Sequence, residues 1–186
     1  PFHMTKVDVD KAGLHTDMGD ILTRVDPRLL HIAKWIMSVG DAVATGDVDG
    51  DGKLDLFLTN ALKVEGVRAA IYLNRSDASG LRFERFEVPA LHDLATHFKQ
   101  QGIAAGGAFV DFDNDGDLDL FVAVAFGKSR LLKNELKETG TLSFVDASTQ
   151  AGLNEHTISL GQVFFDVDND GDLDLLVLNA LPAYLP

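Results

Sequence analysis

Three copies of one nine-residue acidic pattern constrain the fold of this chain more than any other feature. The pattern is D-x-D-x-D-G-x-L-D, and its copies span residues 47–55, 111–119 and 166–174. The first aspartates of successive copies lie 64 and 55 residues apart, a spacing typical of a repeat that contains four short strands. The copies hold 14 of the 23 aspartates, so most of the acidity lies in three loops. We therefore predict about three structural repeats.

A short apolar segment lies on each side of every acidic window. The segments before the windows are Val43–Thr45, Ala108–Val110 and Val163–Phe165, and those after them are Leu56–Asn60, Leu120–Val124 and Leu175–Asn179. Their length and their β-branched and aromatic residues predict strands, so the local unit is strand, tight acidic loop, strand. Weaker repeats at Ile71–Asn74 and Leu131–Asn134 are followed nine or ten residues later by Phe83 and Phe144, which supports the same period.

The spacing predicts one repeat region over residues 1–186, with units of roughly residues 1–75, 76–134 and 135–186. The first unit carries an insertion from Asp17 to Gly40. Within this insertion, Asp26-Pro27 and the apolar residues that follow predict a short helix that packs on a sheet edge or binds a partner. The chain opens Pro1-Phe2-His3, with no initiator methionine and no leader. We therefore expect a fragment of a longer protein, with a processed mature protein as the alternative.

The acidic windows have the ligand spacing of a cation-binding loop. Aspartates at positions 1, 3 and 5 converge only if the loop curls tightly, and glycine at position 6 gives the backbone the freedom to do so. The crowded carboxylates repel one another, and a divalent cation relieves that repulsion. Oxygen ligands select a hard ion, and a flexible loop suits the larger coordination shell of calcium better than that of magnesium.

We therefore predict up to three Ca2+ ions. Each ion is held by the side chains at positions 1, 3, 5 and 9 and by the backbone carbonyl at position 7. In the first window these are Asp47, Asp49, Asp51 and Asp55 with Lys53 at position 7. In the second they are Asp111, Asp113, Asp115 and Asp119 with Asp117, and in the third Asp166, Asp168, Asp170 and Asp174 with Asp172.

Two other interpretations of the windows are weaker. A solvated acidic turn without an ion explains one window, but three copies at a fixed place in a repeat disfavour it. An EF-hand shares positions 1, 3, 5 and 6, yet it requires a glutamate at position 12 and a helix on either side. Position 12 is apolar in all three windows: Leu58, Val122 and Val177.

The acidic loop between two strands resembles the FG-GAP or VCBS-type repeat of integrin α-subunit β-propellers and their bacterial relatives. Residues 144–153, followed by Gly161 and residues 166–175, match the bacterial form of the repeat. The first window departs from the other two, because it has Gly50 and Lys53 where they have asparagine and aspartate. The resemblance extends over nearly the whole chain apart from the insertion.

The resemblance implies an all-β fold of propeller blades, each a four-stranded antiparallel sheet. Because closure of a propeller takes roughly four to eight blades, three repeats imply part of a larger propeller, completion by another chain, or edge strands covered by a partner. It also implies an extracellular or periplasmic binding or adhesion protein in which calcium braces the blades. Calcium sites of extracellular-range affinity would stay nearly empty in a calcium-poor cytosol, which favours the same location.

Composition excludes several classes of function. The chain has 16 lysines and arginines against 29 aspartates and glutamates and no basic run, which excludes nucleic-acid binding. Its apolar stretches are far shorter than the roughly 18 residues that a membrane-spanning helix needs. The absence of cysteine removes disulfides, thiolate zinc sites and cysteine nucleophiles.

No catalytic motif is present, so we predict a non-enzymatic protein. The six histidines lack ligand spacing, and His92 and His97 fall in a segment predicted to be an exposed loop or short helix. A carboxylate that binds calcium is held ionised and is a poor general acid. The predicted function is a scaffold that binds a protein or glycan through inter-blade loops: Ala61–Ala70, Ser76–Gly80 and Asn134–Gly140. The alternative is an accessory propeller domain of an exported enzyme or multi-protein complex whose chemistry lies elsewhere.

Overall fold

Ten strands, joined by turns and a few short helical segments, make up the part of the chain that the structure describes. The structure is a computed structural model that describes residues 6–15, 27–28, 41–60, 63–64 and 66–182. The strands are β1 Val43–Gly46, β2 Asp55–Leu58, β3 Ala70–Asn74, β4 Phe83–Phe86, β5 Ile103–Val110, β6 Asp119–Gly127, β7 Arg130–Asn134, β8 Phe144–Asp146, β9 Thr157–Phe165 and β10 Asp174–Pro182. The helical segments are a 3-10 turn at Pro89–Leu91 and the helices α1 His92–Thr96, α2 Phe98–Gln101 and α3 Leu136–Thr139.

The strands pair with their neighbours in chain order, which gives an all-β fold as predicted. Strands β1 to β4 form one antiparallel sheet in the order β1-β2-β3-β4, and β5 to β8 repeat this arrangement. The hairpin β9–β10 joins the second sheet through a short pairing of β9 with the end of β6. Two four-stranded blades and a third hairpin therefore follow one another, in agreement with the propeller-like architecture that the resemblance implies.

Each acidic window closes the hairpin between the first two strands of a repeat. The strand pairs next to the windows are Gly46–Asp55, Val110–Asp119 and Phe165–Asp174. The last aspartate of every window is thus the first residue of a strand. The predicted unit of strand, acidic loop and strand is confirmed three times.

The fourth strand of each blade lies further along the chain than the sequence units suggest. Strands β4 and β8 begin beyond residues 75 and 134 and pair with β3 and β7. The segments Ala61–Ala70, Ser76–Gly80 and Asn134–Gly140 therefore connect strands within a blade, and their prediction as inter-blade loops is wrong. The fourth strands are only four and three residues long, which is too little sequence to place them in the preceding sheet. The division into repeat units stays a prediction.

Strand β6 contributes to two apolar cores because successive residues of a strand point to opposite faces of the sheet. The first core lies between the first two blades and includes Phe57, Ile71, Leu120, Val122 and Val124. The second lies between the second blade and the third hairpin and includes Phe121, Ala123, Leu131, Phe164, Leu175 and Val177. The rings of Phe121 and Phe164 meet edge to face, with their centroids 5.7 Å apart.

Glycine at position 107 allows the first two blades to approach closely. A Cβ atom at Gly107 would lie 2.7 Å from the ring of Phe57, closer than atoms pack in protein interiors. Any larger residue at this position would push the blades apart and open the first core.

The predicted insertion helix lies outside the described residues, apart from Pro27 and Arg28. Within the described ranges, the helices are too short and too polar to cross a lipid bilayer.

Candidate metal centres

The three acidic windows, here loop 1 (residues 47–55), loop 2 (111–119) and loop 3 (166–174), share one hydrogen-bond skeleton. In each loop the carboxylate at position 1 accepts the backbone N–H groups of positions 5 and 6 at 2.9 to 3.1 Å. The carboxylate at position 5 accepts the N–H of position 7 at 2.9 to 3.0 Å. Because these bonds recur in all three loops, the pattern specifies the loop backbone independently of its surroundings.

Two positions in each loop have left-handed backbone conformations. The glycine at position 6 has φ of 84°, 89° and 96° in loops 1, 2 and 3, which confirms the predicted role of that glycine. Position 4 has φ of 72° at Gly50 and 60° at both Asn114 and Asn169. Asparagine is one of the few other residues that tolerate this region. The glycine of loop 1 and the asparagines of loops 2 and 3 therefore all allow a left-handed backbone at position 4. The sequence analysis recorded Gly50 only as a difference between the windows.

The aspartate at position 9 ties each loop to the sheet. One of its oxygens accepts the N–H of position 2 at 2.9 Å in loops 1 and 3 and 3.0 Å in loop 2. The second oxygen of Asp55 accepts the N–H of Asn74, at 2.7 Å, and that of Asp119 accepts the N–H of Asn134, at 2.8 Å. Both asparagines end the third strand of their blade, so this carboxylate joins the acidic hairpin to the third strand.

Burial raises the pKa of two of the position-9 carboxylates, those of Asp55 and Asp119. Burial raises the pKa of Asp119 to about 7. The two backbone N–H groups that donate to this carboxylate lower its pKa, but their effect is smaller than that of burial. The nearby carboxylates of Asp113 and Asp117 raise that pKa further. Burial raises the pKa of Asp55 in the same way. A cation beside these groups favours their ionised form and offsets the cost of burying them.

The loops bring predicted ligand atoms together. Three carboxylate oxygens lie within 4.8 Å of one another in each loop, from Asp47, Asp49 and Asp55 in loop 1, from Asp111, Asp113 and Asp115 in loop 2, and from Asp166, Asp168 and Asp174 in loop 3. These donor sets consist of oxygen only and fit a hard divalent cation. The structure therefore places acidic clusters that could hold metal ions at all three predicted sites.

The remaining predicted residues are not part of these clusters: Asp51 and Lys53 in loop 1, Asp117 and Asp119 in loop 2, and Asp170 and Asp172 in loop 3. At position 5, Asp51 and Asp170 bond to the backbone of their own loops, as described above. At position 7, the ammonium of Lys53 lies 3.5 Å from Asp51, whereas Asp117 is buried and Asp172 is exposed. The predicted ligand at position 7 is the backbone carbonyl, so the prediction places no requirement on the side chain there.

Comparison with protein-family models agrees with the fold and the loops. The model described as FG-GAP-like repeat matches residues 47–122 and again residues 111–177. The chain belongs to the FG-GAP-like repeat family. FG-GAP-like repeats generally form non-enzymatic binding scaffolds, and they typically occur in extracellular or periplasmic proteins. A search of curated proteins finds no match to the chain.

Two of the three FG-GAP-like loops hold a basic side chain that the sequence prediction missed. In loop 1 a guanidinium nitrogen of Arg75 lies 2.6 Å from Asp49 and 3.2 Å from Asp51. In loop 2 the ammonium of Lys133 contacts Asp113 and lies 3.1 Å from Asp115. Both cations come from the end of a third strand, one residue from the asparagine of the weaker sequence repeat. That proximity is the only sequence signal that could have identified them.

Hydrogen bonds connect the FG-GAP-like loops along one edge of the molecule. The side chain of Asn134, in the second blade, donates to the carbonyl of Val48 in loop 1 at 2.9 Å. The side chain of Asn114, in loop 2, donates to the carboxylate of Asp172 in loop 3 at 2.9 Å. The loops therefore form a continuous acidic edge that spans all three repeats.

Two of the described histidines lie in the connection between the first two blades of the FG-GAP-like repeats, outside the acidic loops. His92 begins α1 and His97 directly follows it, and both are exposed, as predicted. The Nδ1 atom of His97 lies 2.9 Å from the hydroxyl of Thr96 and 3.6 Å from Asp93. All three groups belong to a single turn of the chain and are open to solvent, so they do not form a shielded catalytic site.

Proposed function

We propose that this chain is a calcium-binding β-propeller repeat region that acts as a non-enzymatic binding or adhesion scaffold. In this proposal Ca2+ ions brace the turns between the first two strands of each blade. The observation that supports it most strongly is the same hydrogen-bond skeleton in three acidic loops, each of which closes the first hairpin of a repeat. An acidic edge that recurs with the blades is expected of a structural element rather than of a single reaction centre.

The proposed ligands are the carboxylates at positions 1, 3, 5 and 9 of each loop and the carbonyl at position 7. The clustering of three carboxylates in every loop supports this set. Calcium is favoured over magnesium because its coordination shell accepts more oxygen ligands and tolerates irregular geometry. In loops 1 and 2 the bound ion has to replace Arg75 or Lys133 at the carboxylates of positions 3 and 5.

Another blade or another chain is proposed to cover the outer face of the β9–β10 hairpin. At the second residue after each strand-initial aspartate, Phe57 packs against the second blade and Phe121 against the third hairpin. The equivalent residue of β10 is Leu176, which is 51% exposed, and its cross-strand partner Val163 is 48% exposed. Exposed apolar side chains at positions that pack in the two preceding blades indicate a missing neighbour.

The ligand of the scaffold is proposed to be a protein or glycan bound through connecting loops. FG-GAP-like repeat domains generally mediate protein interactions, and binding residues on such scaffolds concentrate on loops. The connections between blades are residues 87–102 and 147–156. An extracellular or periplasmic location is proposed with the same function, because calcium there is high enough to fill sites of modest affinity.

Calorimetric thermal unfolding in millimolar calcium and in excess chelator tests the calcium proposal. Calcium is expected to raise the unfolding temperature, because an ion that binds only the folded state stabilises it by about 2.7 kcal/mol at a concentration 100-fold above its Kd. Asp168→Asn is expected to lose much of this rise, and Asp93→Asn, an exposed carboxylate on α1, serves as the control. An unfolding temperature that calcium leaves unchanged would refute the proposal.

A further inference from the structure

A second group of carboxylates lies beside loop 2 and includes a residue from outside the loop. Oxygens of Asp115, Asp117 and Glu138 lie within 4.8 Å of one another. Glu138 belongs to α3, between β7 and β8. The N–H of Leu136 in this helix bonds to the side chain of Asn134, and the N–H of Lys137 bonds to Asp117. These two bonds hold α3 against the loop and place its glutamate there.

One oxygen of Asp117 has no hydrogen-bond partner among the described residues. Asp117 is only 6% exposed. Its Oδ2 atom accepts the N–H of Lys137 at 2.9 Å, whereas Oδ1 is buried and accepts no hydrogen bond from any described group. A buried carboxylate oxygen without a partner is costly. Because this carboxylate belongs to the group formed with Asp115 and Glu138, a cation bound by the group would satisfy it.

The corresponding region of loop 1 carries its own cations. There the carboxylates of Asp49 and Asp51 face two basic side chains, Arg75 and Lys53. Lys53 holds position 7, the position of Asp117 in loop 2. Glu84 also lies 3.8 Å from Arg75, so this region of loop 1 has three carboxylates and two cations.

Loop 2 has a larger excess of negative charge in the same region. The carboxylates of Asp113, Asp115, Asp117 and Glu138 belong to two groups that share Asp115, and the ammonium of Lys133 pairs with three of them, those of Asp113, Asp115 and Glu138. Lys133 contacts Asp113 and lies 3.1 Å from Asp115 and 2.5 Å from Glu138. The excess negative charge matches a divalent cation, and every available donor atom is a carboxylate oxygen.

We propose that Asp115, Asp117 and Glu138 form an additional divalent-cation site, specific to the second repeat. It takes a hard ion such as Ca2+. It shares the carboxylate of Asp115 with the loop 2 site, to which Asp117 contributes its backbone carbonyl, and it rests on the calcium function proposed above only through these two residues. On binding, the cation replaces Lys133 at Asp115 and Glu138. The second repeat then holds two ions side by side, bridged by one carboxylate.

Equilibrium dialysis of the protein against radioactive calcium tests the additional site. Glu138→Gln is the main variant, because Glu138 lies on the surface and its loss leaves the blade cores intact. Glu135→Gln removes the same charge one turn earlier in the chain and is the matched control. Glu138→Gln is expected to bind one calcium fewer per chain than the wild type, and Glu135→Gln is expected to bind the wild-type number.

Two further variants separate this inference from the proposal for the loops. Asp168→Asn in loop 3 is expected to remove one calcium, and its combination with Glu138→Gln is expected to remove two. A loss with Asp168→Asn and none with Glu138→Gln would overturn the additional site while leaving the loop sites in place. Lys133→Met is expected to increase the calcium affinity of the additional site by about tenfold. An unchanged affinity would contradict the proposed competition between Lys133 and the cation.

Discussion

Loops 2 and 3 have almost the same sequence and very different surroundings. Their nine residues differ only at position 2, which is Phe112 in loop 2 and Val167 in loop 3. Both loops make the same internal hydrogen bonds and have the same left-handed positions. Yet Asp119, at position 9 of loop 2, is completely buried, whereas Asp174 of loop 3 is exposed.

The neighbouring strands cause this difference. The acidic end of β6 lies between β5 and β7, and apolar cores cover both faces of the strand. The corresponding end of β10 pairs only with β9 in the described part of the chain. The acidic pattern therefore specifies the backbone of the loop, while the third strand and the adjacent blade set the burial and the charge of its carboxylates.

Removal of the position-9 carboxylate is expected to give the largest difference between the two loops. Asp119→Ala leaves the N–H groups of Phe112 and Asn134 without their acceptor in a buried region, and each unsatisfied group costs about 1 to 3 kcal/mol. We expect Asp119→Ala to lower the free energy of unfolding by about 3 kcal/mol and Asp174→Ala by less than about 1 kcal/mol. Urea unfolding in chelator at pH 6 measures both without a metal contribution. Equal losses would show that burial does not distinguish the loops.

The pH dependence of the metal-free protein tests the buried carboxylate of loop 2 directly. Burial raises the pKa of Asp119 from 3.8 to about 7. Between these values the folded protein keeps a proton that the unfolded chain has lost, so the free energy of unfolding falls as the pH rises. We expect a fall of about 2.5 kcal/mol between pH 5 and pH 7.5 in urea unfolding with chelator.

The control for this pH dependence is Asp119→Asn, which cannot ionise at position 119. Its free energy of unfolding is expected to change less over the same pH range. If the wild type and the variant show the same slope, the ionisation of Asp119 is not its cause. Calcium is expected to flatten the wild-type slope, because a bound cation favours the ionised carboxylate at every pH.

Loop 2 also differs from loop 3 in its internal cation. Lys133 pairs with three carboxylates, whereas loop 3 pairs with no basic side chain of the described residues. Lys133→Met is expected to lower the free energy of unfolding by about 1 kcal/mol in chelator, because it leaves these carboxylates to repel one another. The loss is expected to be smaller in millimolar calcium. Lys128→Met is the control for charge removal, and an equal loss with and without calcium would contradict the interpretation.

The sequence predicted the local features of these loops and missed what comes from elsewhere in the chain. The flanking strands, the glycine at position 6 and the clustering of carboxylates follow from residues within about ten positions of each loop, where spacing determines geometry. Arg75 lies 20 residues beyond loop 1 and Lys133 lies 14 residues beyond loop 2, and no local pattern indicates the direction of their side chains. Glu138 was missed for the same reason. Its place beside loop 2 depends on a helix between the third and fourth strands.

The smallest expected difference concerns the bond between the two loops. Asn114 in loop 2 donates to Asp172 at 2.9 Å and to the carbonyl of Gly171 at 3.4 Å, and Asn169 occupies the same position of loop 3 with the same φ of 60°. Glycine accepts this conformation without strain, as Gly50 does in loop 1, so Asn114→Gly and Asn169→Gly differ mainly in the lost inter-loop hydrogen bonds, of which the bond to Asp172 is the shorter. An exposed hydrogen bond contributes about 0.5 kcal/mol, and Asn114→Gly is expected to be less stable by about that amount in urea unfolding. If the two variants are equally stable, the loops are coupled through the sheet alone.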